Sequence, residues 1–93
     1  MSYFIELTPE AISTIERWPQ KLRPHLGKAL RVLKEDPTAL SFRASPPYPP
    51  TGQMYKCHFD LDGEPKMINV RFKYRDDEQT LVIVNVGYVD YAP

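Results

Sequence analysis

The chain has 93 residues and a mass of 10.8 kDa, with 12 Lys+Arg against 12 Asp+Glu, a formal net charge of zero and a pI near 6.7. That length implies one domain over residues 1–93 and leaves no room for a second core. The balanced charge excludes a histone-like polycation, so any nucleic-acid contact must come from a local basic surface. Hydrophobic content of 42% with 12% aromatics excludes global disorder. The single Cys57 excludes an internal disulfide and fits a reducing compartment. No apolar run reaches the roughly 18 residues that span a bilayer. The start MSYFIELTPE lacks the basic and apolar regions of a signal peptide. A cytoplasmic chain with no membrane partner is expected.

Residues 2–7 alternate, with Tyr3, Ile5 and Leu7 on one face, as a half-buried strand requires. Thr8 then suits a helix N-cap, Pro9 the N1 position, and Glu10 the positive end of the helix dipole. Ala11, Ile12, Ile15 and Trp18 repeat at helical spacing until Pro19. A second helix begins near residues 20–23, because Pro24 fits only a first turn. Leu22, Leu26, Ala29, Leu30 and Leu33 form its apolar stripe, and Lys21, Lys28, Arg31 and Lys34 lie outside it. It ends before Pro37. The short link predicts an antiparallel helical hairpin.

Residues 37–53 read as a long irregular segment around Pro46-Pro47-Tyr48-Pro49-Pro50, closed by Thr51-Gly52. Three β-rich runs follow, 54–61, 66–75 and 80–88, separated by Asp62-Gly63-Glu64-Pro65 and Asp76-Asp77-Glu78-Gln79. Two consecutive hairpins are expected. The order β-α-α-β-β-β predicts an α+β fold: a mostly antiparallel four-stranded sheet with the helical hairpin packed on one face.

Alternation sorts the side chains of these strands. Tyr55, Cys57, Phe59 and Leu61 face one way; Lys56, His58 and Asp60 face the other. Ile68, Val70, Phe72 and Tyr74 oppose Asn69, Arg71 and Lys73, and Val82, Val84 and Val86 read as core opposite Leu81, Ile83 and Asn85. The face away from the helices would therefore carry Lys56, His58, Asn69, Arg71 and Lys73, with Asn85 as a further candidate. Such a set suits a phosphate backbone, with an imidazole to move a proton. Lys and Arg are also common on any solvated sheet face, so alternation alone leaves both readings open. Cys57 and His58 point to opposite faces and form no nucleophile–base pair. Asp60-Leu61-Asp62-Gly63-Glu64 lacks EF-hand spacing, and Asp62-Gly63 is better read as hairpin-turn chemistry. One Cys with two distant His gives no zinc site, and the scattered glycines form no phosphate loop. No metal and no cofactor are expected.

FIELTPEAISTIERWP, the helix end LKEDP, MYKCHFDLDG and the closing LVIVNVG, in that order and spacing, resemble the RelE/ParE superfamily of bacterial type II toxins over residues 3–88. The resemblance implies the fold given above and a cognate antitoxin as partner. For the RelE branch it implies a metal-independent endoribonuclease that cuts mRNA on the ribosome and inhibits translation. There a ribose 2′-hydroxyl attacks the adjacent phosphate. Carried over by position, Lys56, His58, Arg71 and Tyr88 become the catalytic candidates and Asn69 and Tyr91 substrate-binding ones, to which the alternation of the open face adds Lys73. Trp18 becomes an antitoxin contact, or else core. The chain departs from the pattern at Asn69, which replaces an arginine, and after Gly87, where no basic residue follows and Asp90 adds a negative charge. The ParE branch resembles a gyrase inhibitor without the ribonuclease residues. The alternative is thus a non-catalytic toxin that binds DNA gyrase, or a degenerate one that binds only its antitoxin.

Overall fold

A computed structural model describes residues 2–37, 42–43, 53–76 and 79–90. The order is β1 (Phe4–Leu7), α1 (Pro9–Glu16), a 3-10 turn (Gln20–Leu22), α2 (Arg23–Glu35), β2 (Phe42–Arg43), β3 (Gln53–Leu61), β4 (Glu64–Tyr74) and β5 (Thr80–Asp90). The proline cluster at 46–50 and Tyr91 lie outside the described residues.

The sheet order is β1-β5-β4-β3-β2, with β1 parallel to β5 and every other pairing antiparallel. The four anticipated strands are all present. The fifth, β2, is a two-residue pairing of Phe42 and Arg43 with Met54 and Gln53, too short to leave an alternating signature.

Local chemistry accounts for the elements. Thr8 Oγ1 accepts the Ala11 N–H at 3.1 Å, and Pro9 opens α1. This satisfies one of the free donors at the helix start. Asp62 (φ 53°) and Gly63 (φ 83°) form the two-residue β3–β4 loop, both left-handed as a type I′ hairpin turn demands. That turn sets the register of the whole hairpin, from Leu61↔Glu64 to Gln53↔Phe72.

The core lies between the helices and one face of the sheet. Ala11, Trp18, Leu22, Leu26, Ala29 and Leu33 pack on Tyr55, Ile68, Val70, Phe72, Leu81, Ile83 and Val86. Two expectations are corrected here. Ile12 is exposed, because the buried side of α1 is carried by Ala11 and the half-buried Ile15. On β5, Leu81 and Ile83 belong to the core, whereas Val82 and Val84 do not. The cause is a β-bulge: Arg71 pairs with Asn85 and Phe72 with Ile83, so Val84 is an extra residue that shifts the alternation by one. Among the described residues no helix is long and apolar enough to cross a membrane.

Candidate nucleic-acid interface

The face opposite the helices is set by the strands' alternation against the core residues. Three rows cross β3, β4 and β5 on it: Met54–Arg71–Asn85, Lys56–Asn69–Gly87 and His58–Met67–Val89. Lys56 and Arg71 are diagonal neighbours, as are His58 and Asn69, with backbones about 7–8 Å apart. Long side chains close that gap. Lys56 and His58 are exposed, while Asn69 and Arg71 are half-buried.

Four of the expected site residues therefore gather on two adjacent strands. Lys73 is on the same face, but His58 sits opposite Met67. Six strand residues separate that position from Lys73, about 20 Å. Those two cannot share one phosphate, so Lys73 extends the cationic track along β4 instead.

The floor of the site is open. Gly87 faces Asn69 across the sheet, and a Cβ built there would meet no atom within 4 Å. A ligand can approach the backbone closely at such a position. Asn69 Oδ1 is buried and makes no hydrogen bond, an unmet acceptor in the middle of the cationic row. Met54 and Val82 are buried on this face outside the core cluster. Met54 and Met67 went unnoticed in the sequence, and Gly87 served there only to mark where the family's basic residue should follow.

Tyr88 stands apart. It pairs with Ile68 on the helix-covered face, and its ring meets Trp18 edge-on, with centroids 4.9 Å apart and planes at 76°. The sheet itself separates it from Lys56 and His58. Trp18 is 6% exposed and belongs to the core cluster. Of the two sequence readings, the free chain adopts the core one.

Asp90 also lies away from the cationic face. It pairs with Lys66, on the same side as Ile68, and Lys66 reaches Glu64 at 3.4 Å as well. The hydrogen bond to Asp90 holds the Lys66 ammonium above the usual lysine range. On the covered face, burial first and then the neighbouring Cys57 push the Tyr55 hydroxyl up to about 12. It stays neutral and is no base at ordinary pH.

No family model matches the sequence, and the search of curated proteins found no match. Solved structures do match. The toxin–antitoxin complex RelBE2 from Mycobacterium tuberculosis aligns with a TM-score of 0.70 at 15% identity, over 99% of this chain and all (100%) of that one. Isolated Escherichia coli RelE toxin aligns at 0.64 and 19% identity, over 98% and 88%. The E. coli RelBE toxin–antitoxin complex aligns at 0.63 and 20%, over 97% and 100%. The chain has the RelE-like fold. In this RelE-like fold the helices cover one face, and Lys56, His58, Asn69 and Arg71 occupy the other.

Proposed function

We propose that the protein is the toxin of a type II toxin–antitoxin pair and that it cuts mRNA on the ribosome. The observation that carries this reading is the gathering of Lys56, His58, Asn69 and Arg71 on neighbouring strands of the helix-free face. In the reaction the ribose 2′-oxygen bonds to the adjacent phosphorus and the bond to the 5′-oxygen breaks, leaving a cyclic phosphate. His58 takes the 2′-hydroxyl proton, or delivers one to the leaving oxygen. Lys56 and Arg71 hold the negative charge that builds on the phosphate, and Lys73 holds a phosphate further along the strand. A cognate antitoxin is the partner proposed, supported by the likeness to RelE toxins solved with theirs.

A second reading has its own support. Asn69 is uncharged at the centre of the row, and Tyr88 faces Trp18 instead of the cationic residues. Both favour a toxin that binds without cutting, for which the family resemblance offers gyrase, or the antitoxin alone, as the target. A translation assay with purified ribosomes and a defined mRNA separates the two. Site-specific cuts bearing cyclic phosphate ends support the ribonuclease, and intact mRNA with inhibited DNA supercoiling supports the alternative.

A further inference from the structure

We propose that the outward face of α2 is a docking surface for the phosphate backbone of double-helical RNA, separate from the cationic face of the sheet. Residues 17–34 contain six of the chain's twelve Lys and Arg and no Asp or Glu. In a protein of zero net charge, this leaves an acidic remainder and one basic segment.

Helical geometry gathers part of this charge on one side. The inner side of α2 is Leu26, Ala29 and Leu33, all buried; Arg23, Lys28 and Arg31 are exposed on the other. Lys21 pairs with Asp62 at 3.2 Å, and Arg23 donates to the Glu16 carbonyl at 2.8 Å. Among the described residues, Lys28 and Arg31 have no ion-pair partner.

The local design of α2 also works against its own stability. It has no side-chain N-cap and no acid in its first turn, and Arg23 stands at the positive end of its dipole. Gly27 sits mid-helix between these cations, where glycine is unfavourable. Packing does not require it, since an added Cβ would meet only the Arg31 guanidinium, at 3.7 Å. Both helices carry a proline in the first turn, but α1 adds the Thr8 cap and Glu10, which α2 lacks. Local rules broken together at one place point to function. A glycine among cations lets a polyanion approach the helix backbone.

The chemistry of the face selects the partner. Its exposed residues include one large apolar side chain, Val32, and no aromatic ring, since His25 is half-buried and stacked on Phe59 with centroids 4.3 Å apart. Single strands are held by stacking, and protein interfaces have apolar, aromatic centres. A row of cations about 17 Å long from Arg23 to Lys34 can track the phosphates that line one strand of a duplex. The choice of RNA over DNA rests on the proposed function; the surface itself does not.

The test is fluorescence anisotropy of the full chain with a labelled 16-base-pair RNA duplex over a salt series. Wild type should bind. The double variant Lys28→Glu/Arg31→Glu should lose at least tenfold in affinity at about 0.1 M salt, with a log–log salt slope smaller by roughly 2. Its thermal melt should be unchanged, and Lys56→Glu/Arg71→Glu should still bind the duplex. Gly27→Ala should bind more weakly while melting about 4–8 °C higher, a combination that no loss of folding produces. An unaltered slope in the double variant overturns the proposal, as does competition by a polyglutamate peptide at equal charge. Equal affinity for a DNA duplex overturns the assignment to RNA. Absence of duplex binding in a protein that still cuts ribosomal mRNA removes this surface and leaves the sheet site standing.

Discussion

The two faces of the sheet are built from the same strands, often from adjacent residues, and answer to opposite requirements. Phe72 is fully buried against the helices, while Arg71, its neighbour, lies half-buried on the open face. One face is paired, apolar and filled. The other holds a cationic row, an unmet amide oxygen and a glycine with open space above it. Stability and reactivity are thus separated by the thickness of one backbone, which makes the comparison easy to break by substitution.

The largest effect is expected from Phe72→Ala, which opens a cavity in the core centre and costs about 3–5 kcal/mol. Urea unfolding should show most of the domain's stability gone. Arg71→Glu, one residue away and half-buried, should cost less stability than Phe72→Ala yet raise the cleavage barrier by about 3–4 kcal/mol. Toxicity that persists in the Lys56→Glu/Arg71→Glu variant contradicts the ribonuclease reading. His58→Ala should slow cleavage by about 100-fold in single-turnover kinetics and leave the melt intact. A rate equal to wild type removes His58 from proton transfer.

Smaller effects sharpen the covered side. Thr8→Ala should cost about 1 kcal/mol through the lost cap of α1, read from the denaturation midpoint. Tyr55 adds a dependence on alkali. Its folded-state pKa, about 12, lies above the ordinary value of 10.0. The unfolded chain therefore releases the proton first, and stability present below pH 10 is lost as pH rises toward 12. Tyr55→Phe should flatten that stretch of the stability–pH curve, and an unchanged slope would assign the loss to other groups.

Much of this was legible in the sequence because the signals were local. Thr8-Pro9 marked the start of α1, and Asp62-Gly63 marked a hairpin turn, but the separator read as 62–65 is only two residues long, so β4 begins at Glu64 and Lys56 comes opposite Asn69. Strand alternation gave Arg71 and Lys73 their face. The bulge at Val84 was not legible, since a run of valines and isoleucines alternates equally well in either phase. Nor did alternation convey distance: Lys73 shares a face with His58 but lies a sheet's length away. Tyr88 was chosen by resemblance to a family tail, and its contact with Trp18 depends on packing between elements distant in the chain.

The parallel pairing of β1 with β5 has a consequence for synthesis. The first strand emerges from the ribosome early, yet its neighbour in the sheet spans residues 80–90. Phe4 and Thr8 donate their backbone N–H groups to Gln79 and Ile83, and Ile5 lies beside Leu81. A nascent chain can therefore form its helices and the β3–β4 hairpin, but it cannot close the sheet until residues 80–83 have been made. The first strand made is thus among the last to be paired.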